Sequence, residues 1–293
     1  MAYPRPSAVL ELLKPITWFP PMWAFGCGVV SSGLPAGGRW AFIAAGVLLA
    51  GPMVCATSQA VNDWFDRHVD AINEPNRPIP SGRIPGRWGL WIACIWTLLS
   101  MLLAWFLGPV CLVAAIVGLI LAWAYSAPPA RLKQNGWWGN LAVGACYEGL
   151  PWFTGAAVMA AAVPDWRVVT IAVLYSIGAH GIMTLNDFKS IEGDTRMGVQ
   201  SLPVQLGAEN AAKLACVFMT VPQLGVIALL LVWNSPVYAI AVAGVVVAQL
   251  ALMPRLLAAP KERAPWYNAT GVSLFVSGML VTAFALRPLI AGS

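Results

Sequence analysis

Eight of the twelve Asp and Glu residues in this 293-residue chain fall in two loop regions: Asp63, Asp66, Asp70 and Glu74 in one, Asp187, Glu192, Asp194 and Glu209 in the other. In Asn62-Asp63-Trp64-Phe65-Asp66-Arg67-His68-Val69-Asp70, the positions Asn62, Asp66 and Asp70 recur every four residues, and Asp63 and Asp70 are seven apart. A continuing helix would present all four oxygen-bearing side chains along one side. Crowded carboxylates repel unless a cation joins them, and hard oxygen ligands suit magnesium, which commonly also takes substrate phosphates and waters. A calcium loop would need a different spacing, with its glycine and terminal glutamate. In the second region Asp187 and Asp194 are again seven apart, with Ser190 four before Asp194. If the helix runs on through Gly193, those carboxylates sit about 10.5 Å apart along its axis, too far for one ion but suited to opposite ends of a metal-bound diphosphate. Turn-forming Asn and Asp in a solvated loop would account for one such region; two in matching places ask for a shared task.

The elements that must position these groups are membrane helices. Hydrophobic residues make up 59% of the chain and charged residues 10%, against roughly 25% charged in an ordinary soluble domain. Nine apolar stretches approach the length of about 20 residues that a crossing helix needs: residues 16–34, 40–61, 88–107, 109–125, 141–162, 168–185, 211–233, 237–257 and 267–289. The break at Gly108-Pro109 decides the parity of the count, because a permissive Gly followed by a residue lacking a backbone donor allows a tight reversal. The expected fold is all-α, one polytopic domain over residues 1–293, with nine transmembrane helices around a central cavity. With the amino terminus inside, fourteen of the seventeen Lys and Arg fall on inner segments and only Arg39, Arg167 and Arg287 outside, as orientation by basic loops requires. Both acidic regions then lie at the inner ends of spans two and six.

The net charge of +5 reads as membrane orientation and contact with anionic lipid, with no basic run that would bind nucleic acid. Six cysteines lie singly in apolar stretches without metal-ligand or disulfide spacing. The segment up to Pro15 lacks the layout of a cleaved signal or transit peptide, which favours a bacterial inner or intracytoplasmic membrane.

The first acidic stretch resembles the NDxxDxxxD signature of the UbiA superfamily of intramembrane prenyltransferases, and Asn76-Arg77-Pro78-Ile79-Pro80-Ser81-Gly82 resembles its NRPxPSG continuation. Within that superfamily, Tyr125-Ser126-Ala127-Pro128-Pro129, Lys133-Gln134-Asn135-Gly136-Trp137 and Asn186 through Asp194 look most like chlorophyll and bacteriochlorophyll synthases, with Trp137-Trp138-Gly139-Asn140 and Tyr147-Glu148 inclining toward the bacterial branch. One departure stands out: the second motif is commonly DxxxD, whereas position 190 here is Ser and the earlier aspartate is Asp187.

The resemblance implies a magnesium-dependent esterification of the propionate carboxyl of a chlorophyllide or bacteriochlorophyllide with geranylgeranyl or phytyl diphosphate, at the cytoplasmic face. It implies that Asn62, Asp66, Asp70, Asp187 and Asp194 hold magnesium against the diphosphate, with Asp63 supplementing them. Arg77, Arg131, Lys133 and Ser190 would reach phosphate oxygens, and Tyr125 would stand near the allylic carbon. Glu148 and His180, ionisable groups inside spans five and six, are candidates for the acceptor site, since such groups are expensive in a membrane and often functional; a hydrogen-bonded structural role is the plainer reading of each. Pigment-biosynthesis or light-harvesting assembly proteins would be the expected partners. Two rivals remain at this point: a relative that prenylates a quinone or haem precursor, and a transporter or pigment carrier that performs no chemistry.

Overall fold

The computed structural model describes residues 3–292, and within them every regular element is a helix. A short helix α1 (Pro6–Leu12) precedes α2 (Phe19–Ser31), α3 (Trp40–Leu48), α4 (Ala56–Asn73), α5 (Trp88–Leu107), α6 (Pro109–Ser126), α7 (Gly136–Gly144), α8 (Leu150–Ala160), α9 (Trp166–Asn186), α10 (Ile191–Met197), α11 (Leu202–Val232), α12 (Pro236–Ala258) and α13 (Pro260–Ala291). Two π-helical stretches, Leu49–Cys55 and Ala145–Gly149, join α3 to α4 and α7 to α8 without breaking either column. Proline opens α6, α12 and α13, where its missing N–H has no helical partner to lose. The reversal expected at Gly108 is present: its φ of 112° and ψ of 167° end α5 and start α6 one residue later, a backbone conformation that favours glycine.

Helical columns stand where the nine spans were expected, and seven of them are long and apolar enough to cross a membrane by length and composition among the described residues. The other two are α2 and the column formed by α7 and α8. Helix α2 has 13 residues, which reach only about 20 Å against a hydrocarbon core of about 30 Å. The α7–α8 column spends its apolar length on Asn140 and Glu148. Large apolar side chains face outward along the long helices, among them Leu98, Leu102, Trp105 and Phe106 on α5 and Ile116 and Ile120 on α6. A band of that kind suits lipid, and the chain is a multi-pass membrane protein.

Lipid offers apolar surfaces no reason to associate, so the bundle closes through backbone approach and buried polar pairs. Gly28 of α2 lies so close to α8 that a Cβ there would fall 2.0 Å from the Trp152 carbonyl oxygen, and one at Gly155 would fall 2.1 Å from that of Phe25. The Trp152 indole N–H donates to Ser31 Oγ at 3.0 Å, and its ring stacks on Tyr175 of α9 at 5.5 Å. Gln223 of α11 and Gln249 of α12 exchange two amide hydrogen bonds of 3.1 Å, both side chains buried. Because the Gly28 contact is with backbone, a side chain there must push the helices apart. Gly28→Leu is expected to lower the thermal unfolding midpoint in detergent by ten degrees or more, on the order of 3 kcal/mol of overpacking. A midpoint unchanged within two degrees, read from tryptophan fluorescence, would show that α2 does not pack on α8 this way.

Candidate active site

Helix α4 carries the first acidic stretch, and its geometry decides which members can act together. A step of four residues turns about 40° around a helix, so the row Asn62, Asp66, Asp70 spirals instead of running straight. Asn62, Asp66 and Val69 line a cavity of about 590 Å³; Asp63 and Asp70 lie past its edge. All four stay within an arc of about 100° on the continuous helix, as expected, but only Asn62 and Asp66 of them line the cavity. Asp63, 1% exposed, is held by Lys14 at 2.7 Å and Arg77 at 3.3 Å, and Asp70 by Arg77 at 2.9 Å. Arg77 also grips Glu74 through two bonds of 2.6 and 2.7 Å. This network pins the loop after α4 and the end of α1 to the helix, and it places Arg77 beside the cavity wall, not in it.

The second acidic stretch does not extend α9. The chain tightens into a 3-10 turn over Asp187–Ser190 and resumes as α10, with Gly193 inside that helix, so the departure from α-helix comes before the glycine at which continuation was in question. The tightening keeps Asp187, Ser190 and Asp194 on the wall of the same cavity. The Ser190 hydroxyl donates to Asp194 Oδ2 at 2.8 Å, and the Asn140 amide of α7 lies 3.2 Å from Asp187 Oδ2 and 3.3 Å from Thr184 Oγ1. Asn186 accepts from the Asn268 amide of α13 at 2.9 Å.

The loop between α6 and α7 brings the cations. Arg131 sits in the left-handed backbone region, φ 41°, and that turn directs Lys133 inward, where its ammonium bonds both oxygens of Asp66. Arg131 approaches the same carboxylate at 3.7 Å. Burial pushes the Lys133 ammonium below its ordinary pKa, and the charge of Asp66 pulls the other way. The loop is tied to the segment before α11 by Gly136 N–H to Gln200 O at 2.7 Å and Gln200 N–H to Gln134 O at 3.0 Å, and Asn135 caps α7 by accepting from the Trp137 N–H at 2.9 Å. Tyr125, at the end of α6, stands with Asn62 and Met183 on the seam between the polar cavity and a second chamber of about 200 Å³, whose wall mixes Ser58, Gln59 and Tyr147 with Leu121, Ala122 and Val143.

Of the residues singled out in the sequence, the structure therefore brings Asn62, Asp66, Tyr125, Arg131, Lys133, Asp187, Ser190 and Asp194 to one cavity. Asp63, Asp70 and Arg77 form the supporting network outside it. Glu148 lines a neighbouring chamber, and His180 is buried against Phe218, ring centroids 4.3 Å apart, with Trp137 at 5.9 Å. Sequence reasoning passed over Lys14, which pairs with Asp63, and Asn140, which orients Asp187. An amide set directly against the start of an apolar span is the signal that would have found the latter.

The candidate ligands in the cavity, the Asn62 amide oxygen, the Asp66, Asp187 and Asp194 carboxylates and the Ser190 hydroxyl, are all hard oxygen, which fits magnesium and not a softer metal. Among the described residues no three His, Cys, Asp or Glu side chains stand together closely enough to hold a metal ion by themselves.

Residues 17–285 match the model of the UbiA prenyltransferase family. The Bacteriochlorophyll synthase 33 kDa chain of Cereibacter sphaeroides is 58% identical over 286 residues, covering 98% of this chain and 95% of that protein. The protein of the same name from Rhodobacter capsulatus is 54% identical, covering 97% and 94%. The fold is similar to that of a UbiA homolog from Archaeoglobus fulgidus solved with GPP and Mg2+, with a TM-score of 0.73 at 20% identity over 96% of this chain and 99% of that one. A carrier without chemistry is thereby set aside. With the family model spanning almost the whole length and near-full-length relatives at this identity, the chain belongs to the UbiA prenyltransferase family.

Proposed function

We propose that this protein esterifies the propionate carboxyl of a chlorophyllide or bacteriochlorophyllide with geranylgeranyl or phytyl diphosphate, a reading supported by its 58% identity to a protein named as a bacteriochlorophyll synthase chain. The observation that carries the reading is the shared cavity: Asp66 from one acidic stretch and Asp187 and Asp194 from the other line a single polar space, and from that space a chamber at Tyr125 leads past Cys146 to an apolar cleft. A diphosphate attached to a hydrocarbon tail needs that adjacency, since its head must be neutralised while its chain stays out of water.

Asn62, Asp66, Asp187 and Asp194 would hold magnesium, with Asp70 and Asp63 steadied by Arg77 at the rim. Bound magnesium would offset the charge that grows on the departing diphosphate. Arg131 and Lys133, from the loop after α6, and Ser190, beside Asp194, would reach phosphate oxygens. The acceptor's carboxylate oxygen forms the new bond to the terminal allylic carbon as the bond from that carbon to diphosphate breaks, the electron pair leaving with the diphosphate. A propionate is already ionised at neutral pH, so the protein supplies no base; positioning and shielding from water carry the reaction. The Tyr125 hydroxyl stands where the allylic carbon would pass between the polar and apolar spaces.

The site opens at the cytoplasmic face of a bacterial inner or intracytoplasmic membrane with the amino terminus inside, in line with the asymmetry of Lys and Arg in the loops, and pigment-assembly proteins would receive the product there. Membranes carrying the protein, supplied with labelled geranylgeranyl or phytyl diphosphate, magnesium and a panel of acceptors, are expected to yield a chlorophyllide or bacteriochlorophyllide ester. Label transferred to a quinone or haem precursor and never to a chlorophyllide would overturn the assignment.

A further inference from the structure

Two branches leave the polar cavity, each ending in an apolar space. One continues under Tyr125 and passes Cys146 into a narrow cleft lined by small side chains, Ala50, Ala114, Ala115 and Gly118 among them. The other, about 250 Å³, lies between α2, α7, α9 and α13 and shares Met183 and Asn186 with the polar cavity. Its wall includes the aromatic faces of Phe19 and Trp23, stacked at 5.8 Å, and the carboxyl of Glu148.

Glu148 is 4% exposed, and its Oε2 has no hydrogen-bond partner among the described residues. It is carried on the π-helical stretch Ala145–Gly149, an irregularity that often marks a functional position. A buried oxygen left unpaired costs free energy, so something bound in the chamber must complete it. A polyprenyl chain has no polar atom to offer; a tetrapyrrole ring does, through its conjugated carbonyl groups, and its flat face suits aromatic walls. An uncompensated negative charge is expensive at that depth, so the carboxyl acts as the acid, with one O–H to give.

We propose that the Glu148 chamber is the subsite for the acceptor's macrocycle, with the Glu148 carboxyl donating a hydrogen bond to a carbonyl on the ring, and that the prenyl chain takes the Cys146–Gly118 branch. This rests on the reading of the acceptor as a chlorophyllide. It makes Glu148 a residue that selects the acceptor while leaving the diphosphate alone.

The test uses the full-length enzyme in detergent with geranylgeranyl diphosphate, comparing wild type, Glu148→Leu and Glu148→Gln. Glu148→Leu is expected to raise the acceptor KM about 10- to 100-fold, the usual cost of one unpaired buried hydrogen bond, with the KM for the diphosphate within twofold of wild type. Glu148→Gln, which keeps a polar head with an N–H to donate, should recover most of that loss. A wild-type arm needs no variant to fold: an acceptor with its ring ketone reduced to methylene should bind wild type weaker by the same factor, and should no longer distinguish wild type from Glu148→Leu. An unchanged acceptor KM in Glu148→Leu, a rise confined to the diphosphate KM, or indifference of wild type to the ring ketone would each overturn the assignment. If wild type transferred label only to quinone or haem precursors, the functional reading itself would fall, which the acceptor panel shows before any variant is made.

Discussion

Asp66→Asn is expected to lower kcat/KM by about 10³-fold, the scale on which losing one pre-positioned group at a developing charge is felt. Asp66 is the carboxylate of the first acidic stretch that lines the polar cavity, and both its oxygens are engaged by Lys133. The amide keeps the shape of the side chain and removes its charge, so the bundle should hold while the grip on the metal-bound diphosphate fails. The loss should fall mainly on kcat, because the charge on the leaving diphosphate grows in the transition state. Release of diphosphate from labelled geranylgeranyl diphosphate, followed with saturating acceptor and magnesium, measures it. A variant that retains a tenth or more of wild-type activity would remove Asp66 from the chemistry.

Much of this arrangement was legible in the residues because membranes allow few solutions. Long apolar runs must be helices, the Gly108-Pro109 pair must turn, and two acidic stretches at the same end of a bundle can meet only if their helices are neighbours around a common space. What stayed out of reach was finer. A row of four-residue steps looks straight on paper, and the 40° turn per step is what parts Asp70 from Asp66 in the folded helix. The 3-10 turn at Asp187–Ser190 leaves no local mark, since Gly193, the evident breaker, lies inside α10. The partners of the buried acids come from far along the chain: Lys14 reaches Asp63 across 49 residues and Lys133 reaches Asp66 across 67. Periodicity carries no information about such pairs. The two helical columns that departed most from a plain span, the short α2 and the polar α7–α8, both contribute to the wall of the Glu148 chamber, together with α9 and α13, so the polar residues of α7–α8 face space inside the bundle.

The sharpest consequence of one shared cavity concerns the two acidic stretches together. Asp187→Asn alone is expected to cost about 10²- to 10³-fold in kcat/KM, by the same reasoning as for Asp66. If each carboxylate served its own separate ligand, the double variant Asp66→Asn/Asp187→Asn would multiply the two losses to about 10⁵- to 10⁶-fold, as independent sites do. Groups that act as a unit behave otherwise: once one has been removed, the other has little left to hold, and the second substitution costs far less. Asp66 and Asp187 line the same wall-to-wall space, and a diphosphate head bridging them must be gripped from both sides to leave. The double variant is therefore expected to lie within about tenfold of the weaker single variant, in the same diphosphate-release assay. Losses that multiply would mean that α4 and the turn after α9 do not work on one substrate head, and the shared-cavity mechanism would fail even if each aspartate proved essential.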